Sequence, residues 1–477
     1  MKFWTISKPE PSYIPPVPLL VGSTGIAIFM GALDGSIVNI SLVTIARFFS
    51  VSMQEVRWVV LAYLVVLTAF LAFAGKLGDR YGNKLVFQCS FLIFGIGSLL
   101  CALAWTLPLL VAARAIQAFG AAGTTANGVA LITQFTTPQN RGRAIGFNSL
   151  IVASALSIGP FLGGFMTEYF GWQSIFLINV PISVVGFISV QLIIPSSANT
   201  RTNMELDILG TLLFSGVLSC FVVGLTVVRS TSTIIIGFLL IGTSGALLTV
   251  LILWEQRIEN PILDFDLFSD RRISLGIICA ILAYGSLVSI TFLMPFYLQD
   301  LRDLTPTETG LMILALPAFM SFSGPVAGYL SEKHDSRILS SLGLLGMSIM
   351  LIYLAIVLTE PSPPFLMLVI AMAISGAAMA LFTSPNSNSI MSATPKSKLG
   401  LAGGFLGLAR TIGFTLGITL SSTMFDALLE SQDPSSVTNS VYTAALSITY
   451  LFFVGIAVLG VLLSIMRGSD KKGQLVD

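Results

Sequence analysis

The sequence predicts an all-α polytopic membrane protein, and three observations lead to this fold class. Of the 477 residues, 55% are hydrophobic and only 10% are charged, with a mean hydropathy of +0.90. Soluble domains carry about 25% charged residues, so this chain could not cover a water-facing surface. The apolar residues form long runs of about the 20 residues that a spanning helix needs. These runs lack the alternation of barrel strands, and only helices or closed barrels satisfy their backbone in lipid.

Fourteen apolar runs are the candidate spans, and short polar connections separate them. In chain order they are 18–46, 56–75, 84–105, 108–132, 142–168, 173–195, 206–228, 232–254, 273–299, 307–330, 338–359, 363–391, 399–427 and 441–466. Because fourteen is even, both chain ends are expected on one side of the membrane. Residues 1–17 show no short apolar core of a cleavable signal, so they are predicted to form a cytoplasmic tail.

The distribution of Lys and Arg predicts that the shared side is the cytoplasm. With the N-terminus inside, 18 of the 24 basic residues fall in cytoplasmic loops and tails, and four fall in outer loops. The remaining two, Arg114 and Arg410, lie within predicted spans. We therefore expect a multi-pass integral protein of the plasma (inner) membrane with both termini cytoplasmic.

An internal repeat relates two connections on that side. Residues 75–85 read GKLGDRYGNKL and residues 328–338 read GYLSEKHDSRI, at an offset of 253. The matching pairs include Gly75/Gly328, Asp79/Glu332 and Arg80/Lys333. Chance is the alternative, because glycine at helix ends and basic residues inside are both common. The matching order of acidic and basic positions favours duplication.

The repeated connections are eight spans apart rather than six, which predicts two helices inserted between two six-helix halves. The predicted units are an N-terminal bundle (18–195), the inserted helices (206–254), a C-terminal bundle (273–466) and a cytoplasmic tail (467–477). Repeated helical halves are typical of secondary transporters, whose site lies near the midplane between them.

Several classes of function are not supported by the sequence. It contains no GxxxxGK[ST] loop and no HExxH motif, so neither ATP hydrolysis nor zinc-dependent catalysis is expected. The single histidine, His334, and four scattered cysteines predict no metal site. A net charge of +1 gives no sign of nucleic-acid binding. We expect a protein that is not an enzyme and that has no cofactor apart from the proton as coupling ion.

Six segments carry a resemblance that covers almost the whole chain. They are LDGSIVNISL (33–42), GKLGDRYGNK (75–84), LVAARAIQAFGAAG (110–123), SIGPFLGG (157–164), WQSIFLINVPI (172–182) and ARTIGFTLG (409–417). Together they resemble the major facilitator superfamily, in particular its fourteen-helix drug:proton antiporter branch. Ser36, Val43, Asn83 and Ala118 stand where Thr, Pro, a base and Gly are usual. The resemblance implies the major facilitator fold and transport by alternating access.

The resemblance implies that the 75–84 segment is a latch that holds the cytoplasmic side shut in the outward-facing state. Asp79 could accept hydrogen bonds from free helix N–H groups, and Arg80 could bridge to acids on neighbouring helices. The predicted latch residues are Gly75, Asp79, Arg80, Glu332 and Lys333. The alternative is that the positive charges only fix the topology.

A seam is predicted in span 5. Proline loosens the hydrogen-bond ladder of a helix, and glycines allow close helix contact. The predicted seam residues are Gly159, Pro160, Gly163 and Gly164. The family reading is a bend at the interface between halves, and the alternative is ordinary packing of small residues.

Two arginines lie deep in predicted spans. Arg114 is roughly 9 Å into span 4, and Arg410 is roughly 16 Å into span 13. A buried arginine stays charged and needs partners, which for Arg114 include Gln117 one turn on. For Arg410 a carbonyl, an acid and the substrate all remain open.

Asp34 is the one deep carboxylate of the N-terminal half, roughly 24 Å past Pro18. Burial raises a carboxyl pKa and a nearby arginine lowers it, so a balanced group can bind and release a proton. We predict proton coupling by Asp34 and Arg114; the alternative is a carboxylate locked permanently to Arg114 or to a helix end. Asn39 is expected near the pathway.

The predicted substrate cavity contains Asn39, Gln117, Tyr284, Met294 and Arg410. Because spans 9–12 show no second deep acid, the sequence favours neutral or monocationic lipophilic substrates. The predicted function is proton-coupled multidrug efflux of small lipophilic or amphipathic compounds by a monomer, which would confer drug resistance. The alternatives are a dedicated metabolite exporter or importer, or a non-transporting membrane sensor on the same fold.

Overall fold

The structure, a computed structural model, describes residues 16–136, 138–195, 207–227, 234–258, 265–360, 363–395, 399–430 and 439–468. Most of the two predicted tails, residues 1–15 and 469–477, lies outside this part. The described chain is helical and contains no strand, so the predicted all-α fold is confirmed. The helices are α1 (Val17–Phe49), α2 (Met53–Val56), α3 (Trp58–Tyr81), α4 (Asn83–Ala102), α5 (Leu107–Phe135), α6 (Pro138–Phe170), α7 (Ser174–Leu177), α8 (Asn179–Ile193), α9 (Ile208–Val227), α10 (Ile234–Glu255), α11 (Arg271–Phe296), α12 (Pro306–Ile313), α13 (Ala315–Lys333), α14 (Ser336–Val357), α15 (Phe365–Ala393), α16 (Leu399–Glu430) and α17 (Asn439–Met466).

Three predicted spans each consist of two consecutive helices, namely α2–α3, α7–α8 and α12–α13. Two of these spans begin with a capping box. The Ser52 side chain accepts a hydrogen bond from the Glu55 backbone, and the Glu55 carboxylate accepts one from the Ser52 backbone. Thr305 and Glu308 form the same arrangement before α12. These boxes satisfy N–H groups that have no partner inside the helix.

Thirteen helical segments of the described chain are long and apolar enough to cross a membrane. The predicted span 142–168 lies within the 33-residue helix α6, and many side chains of the first half of this helix lie outside the described part of the structure. Its packing against α1, α12 and α13 shows that much of α6 contacts protein rather than lipid.

The same pattern of helix contacts occurs twice along the chain. In the N-terminal half (α1–α8), α1 packs against α5, α6 and α8, and α4 packs against α5 and α8. In the C-terminal half (α11–α17), α11 packs against α15, α16 and α17, and α14 packs against α15 and α17. Between the halves, α6 contacts α12 and α13, and α16 contacts α3. Two related halves would produce this pattern; the bundle boundaries 18–195 and 273–466 stay predictions.

The bundle has two ends, which we call the terminal face and the opposite face. The terminal face is where α1 begins and where α17 ends beside the start of α14, with Ser341 and Ser464 hydroxyls 2.9 Å apart. At the opposite face α1 and α11 both end, and Arg47 and Asp300 form an exposed ion pair with an N–O distance of 2.7 Å. The two halves therefore run in the same direction.

Helices α9 and α10 lie outside the two halves. α9 contacts both α3 and α16, and α10 packs chiefly on α9. At the terminal face Asp207 caps α9 by accepting a hydrogen bond from Gly210 N over 2.7 Å, and Trp254 Nε1 donates to the same oxygen over 2.9 Å. Burial lowers the pKa of the Lys76 ammonium at the end of α3, and the charges of Asp207 and Glu255 oppose this shift. Charged groups thus hold the inserted pair against α3.

Candidate functional site

A buried ionic network lies in the N-terminal half and centres on Asp34 of α1. Asp34 is fully buried and Arg114 of α5 is 1% exposed. Arg114 Nη1 donates to Asp34 Oδ2 over 2.7 Å, and the two groups form an ion pair. Gln117 Nε2 and Asn179 Nδ2 donate to Asp34 Oδ1 over 2.9 and 3.0 Å. Side chains from α5 and α8 thus meet on one carboxylate of α1.

Arg114 has partners on several sides. Its Nε donates to the Val59 carbonyl over 3.0 Å, and its Nη1 also donates to Gln117 Oε1 over 2.6 Å. The guanidinium carbon lies 4.2 Å from the ring centroid of Tyr63, within cation–π distance. The arginine therefore points into the bundle and not to a membrane surface, and its charge is compensated there.

The network suits an ionised carboxylate, because Arg114, Gln117 and Asn179 all donate hydrogen bonds to Asp34. Neutralising one partner of a buried ion pair leaves the other charge uncompensated, at a cost of about 3–5 kcal/mol. Protonation of Asp34 would therefore require Arg114 to find other partners. The ion pair is expected both if Asp34 exchanges protons and if it is locked permanently to Arg114. Proton coupling by Asp34 therefore stays a prediction.

Sequence reasoning named Gln117 but missed Asn179 as a partner of Asp34. The available signal was an amide inside the predicted span 173–195, within the quoted segment WQSIFLINVPI. Asn39 lies one turn beyond the network and does not join it. Its Oδ1 is buried and has no hydrogen-bond partner among the described residues.

The two halves are joined at the opposite face. Arg57, before α3, donates from Nη1 to the Ser422 hydroxyl of α16 over 2.5 Å and lies 3.6 Å from Asp426 Oδ2, with both charged side chains buried. Gln299 Nε2 donates to the Ile40 carbonyl over 2.9 Å. Asp426, near the end of α16, thus takes part in an ion pair between the halves.

The predicted seam residues face two different neighbours. A Cβ at Gly163 would lie 2.7 Å from the Ile37 carbonyl oxygen, and Gly159 lies against Ser36, so both allow close packing of α6 on α1. A Cβ at Gly164 would lie 2.9 Å from Thr307 Cα of α12. The contact is reciprocal, because Gly310 of α12 lies against the Pro160 carbonyl. Only the Gly164 side of the seam therefore touches the other half.

We expect Gly164→Val to lower stability by about 1–3 kcal/mol, because overpacking forces backbones apart. The added carbons would meet the backbone of Pro306 and Thr307, which cannot rotate away. Thermal unfolding of the purified variant in detergent measures this effect. Gly31→Val is the matched control, since a Cβ there meets nothing within 4 Å. Equal melting temperatures of the two variants would contradict the prediction.

The predicted latch residues lie at the terminal face. Asp79 and Arg80 are exposed near the end of α3, and partial desolvation raises the pKa of the Asp79 carboxyl. Lys333 is exposed at the end of α13 and donates to the Tyr329 hydroxyl. The side chain of Glu332 lies outside the described part of the structure. Their role as a latch stays a prediction.

Gly75 and its neighbours hold the end of α3 close to α5. A Cβ at Gly75 would make an ordinary contact of 3.9 Å with Ala126. Beside this contact, Asn127 Nδ2 donates to the Ala74 carbonyl over 3.0 Å. The chain then turns at Gly82 with φ of +100°, a conformation that favours glycine. The motif thus fixes the link between α3 and α4.

A cavity of about 260 Å³ lies in the C-terminal half among α11, α15 and α16. Tyr284 and Arg410, both predicted cavity residues, line it, whereas Met294 is fully buried further along α11 and does not. Arg410 is the only charged residue of the lining. The residues that line the cavity are Ala280, Tyr284, Phe382, Thr383, Asn386, Ser387, Gly403, Leu406, Gly407 and Arg410.

Comparison with known proteins identifies the class of protein. The chain matches the Major Facilitator Superfamily over residues 24–260 and 276–474. Over 96% of its length it also superimposes on the crystal structure of a D-xylose–proton symporter, covering 99% of that chain with a TM-score of 0.69 at 14% identity. The chain belongs to the Major Facilitator Superfamily and is a multi-pass membrane transporter of small molecules.

Two bacterial proteins with related sequences support this assignment. The chain is 33% identical over 450 residues to the riboflavin transporter RibZ of Clostridioides difficile, covering 94% of this chain and 97% of that protein. It is 31% identical over 411 residues to the multidrug resistance protein Stp of Mycobacterium tuberculosis, covering 85% of this chain and 75% of that protein. The resemblance predicted from the motifs is thereby confirmed.

Proposed function

We propose that this transporter exports small lipophilic or amphipathic compounds in exchange for protons. Asp34 carries the proposal, because it is a fully buried carboxylate held by donors from two other helices. A charge at this depth is costly, and such residues usually serve a transport pathway. The similarity to a multidrug resistance protein supports export as the direction.

The proposed transport cycle follows from the opposite charges of Asp34 and Arg114. With Asp34 ionised and bound to Arg114, the network is neutral overall. Protonation of Asp34 from the outer side would free Arg114, and loss of the proton on the inner side would restore the pair. After proton release the substrate would bind from the inner side, be carried outwards by alternating access, and leave before Asp34 binds the next proton.

In the proposed orientation both termini are cytoplasmic, so the terminal face is the inner face of the plasma membrane. The ion pair of Arg57 with Asp426 and the contact of Gly164 with Thr307 then close the outer side. The cavity beside Arg410 lies nearer the start of α16, towards the cytoplasm. We assign this conformation to the inward-facing part of the transport cycle. We also propose that the functional unit is a monomer.

A dedicated metabolite transporter is the second candidate, and the similarity to RibZ favours it. That similarity spans almost the full length of both chains, which is more than the similarity to Stp covers. The candidate substrate class is a planar heteroaromatic vitamin such as riboflavin. The fold and the Asp34 network are compatible with either substrate class.

Proteoliposomes with an imposed pH gradient test the proposal. We expect gradient-driven flux of at least one compound from a panel of neutral, monocationic and dicationic lipophiles together with riboflavin. Collapse of the gradient with a protonophore should reduce that flux to the level of protein-free liposomes. Equal flux with and without the gradient would remove the antiport claim, and gradient-driven flux of riboflavin alone would select the second candidate.

A further inference from the structure

The cavity in the C-terminal half has the composition of a site for a negatively charged group. Arg410 is half-buried and lines it, and no Asp, Glu, Lys or His is among the other described lining residues. Among the described residues the Arg410 guanidinium has no hydrogen-bond or ion-pair partner. A guanidinium remains charged and carries five donors, so a half-buried guanidinium without protein acceptors can bind the acceptors of a ligand.

Further polar groups lie beside the cation. Asn386 lines the cavity from α15 and is itself fixed, because its Nδ2 donates to the Gly276 carbonyl over 3.1 Å. Behind it, the buried Arg467 donates from Nη1 to Asn386 Oδ1 and from Nη2 to the Ser340 hydroxyl. Arg467 thereby fixes the amide of Asn386 at the cavity wall. Arg410 is the one charged side chain of the described lining and no acid is part of it, so the lining favours an anion over a cation.

The cavity also contains an aromatic side chain and unfilled space. Tyr284 of α11 lines the cavity and packs edge-to-face on Phe414, with ring centroids 5.4 Å apart. Gly407 lies one turn before Arg410 on the same face of α16, and a Cβ there would meet nothing within 4 Å. Tyr284 thus offers an aromatic surface in the same cavity as the cation of Arg410.

We infer that this cavity binds a small aromatic anion, with Arg410 as the residue that contacts its acidic group. The volume of about 260 Å³ suits a compact ligand, since drug-sized pockets begin near 300 Å³. The inference rests on the proposed transport function only in naming the ligand a substrate. The inferred anionic ligand differs from the neutral or monocationic substrates predicted from the sequence. That prediction rested only on the lack of a second deep acid.

Equilibrium binding to the purified full-length protein in detergent tests the inference, with three probes of nearly equal shape. They are 2-naphthoate, 2-naphthamide and 2-naphthylmethylammonium. We expect 2-naphthoate to bind about tenfold more tightly than the amide, as one charge-assisted hydrogen bond provides, and the ammonium to bind most weakly. Equal binding of the three, tighter binding of the ammonium, or no binding of any probe would overturn the inference.

Variants then assign the preference to Arg410. Arg410→Gln should remove the advantage of 2-naphthoate over the amide, while Arg271→Gln, which removes an exposed charge at the start of α11, should keep it. Gly407→Leu should weaken both probes by filling the cavity, and Gly404→Leu, at an exposed glycine on the same helix, should not. An unchanged preference in Arg410→Gln, or normal binding in Gly407→Leu, would overturn the inference.

The binding assay uses no pH gradient, so its outcome is independent of proton coupling. If antiport is wrong and the site is right, the charge preference persists while flux ignores the gradient. If the site is wrong and antiport is right, gradient-driven flux continues and Arg410→Gln leaves the charge preference unchanged.

Discussion

Asp34→Asn is expected to abolish proton-driven transport while the protein still inserts into the membrane. Asparagine has nearly the same size as aspartate and still accepts hydrogen bonds, but it cannot bind or release a proton near neutral pH. It also leaves the buried Arg114 without a counter-charge, which should cost about 3–5 kcal/mol of stability. Flux in proteoliposomes with an imposed pH gradient measures the first effect, and thermal unfolding measures the second.

The double variant Asp34→Asn/Arg114→Gln separates these two effects. Replacing both charges with amides removes the uncompensated arginine, so most of the lost stability should return. Proton-driven flux should stay at background, because the carboxylate that is proposed to carry the proton is absent. Wild-type flux in the double variant would show that Asp34 has only a structural role, as the locked alternative holds.

Arg57→Gln is expected to open the opposite face. Arg57 bonds to Ser422 and pairs with Asp426 across the two halves, and all three residues are buried. Removing the positive charge beside the buried Asp426 disfavours this conformation, and each 1.4 kcal/mol changes its population ratio about tenfold. The measurement is maleimide labelling of Met294→Cys in a background without the four native cysteines. We expect labelling to become about tenfold faster, because Met294 is fully buried when this face is closed.

Arg47→Gln provides the matched control for this prediction. Its ion pair with Asp300 lies at the same face, but the two side chains are 62% and 36% exposed. Exposed pairs contribute about 0–1 kcal/mol, so labelling of Met294→Cys should change less than about fivefold. Equal labelling rates in Arg57→Gln and Arg47→Gln would show that burial of the pair does not control closure.

Much of the fold could be predicted because lipid imposes strict rules on a chain. Every predicted span coincides with a helix or a helix pair, since apolar runs of this length have no other stable form in a bilayer. The deep positions of Asp34 and Arg114 followed from counting residues along a helix. Gln117, one turn from Arg114, could be added by the same reasoning.

The remaining features depend on how distant helices meet. Arg57 and Asp426 each lie at a helix end, and no local pattern shows that α3 and α16 bring them together. Asn179 reads as an ordinary amide until α8 packs on α1. The cavity beside Arg410 likewise forms only where α11, α15 and α16 meet. These sites depend on which helices pack together, and the hydrophobic periodicity of the sequence does not show this.

The attachment of α9 has a consequence for how the two halves move past each other. Lys76, Asp207 and Glu255 interact electrostatically where α9 and α10 meet the end of α3. On its other side α9 packs on α16 of the C-terminal half. If the two halves rock against each other, α9 and α10 would therefore move together with the N-terminal half. The sliding between the halves would then be concentrated where α9 packs on α16. The lipid-facing surface of the protein would then change mainly beside the α9–α16 contact, and the surrounding lipids would rearrange mainly there.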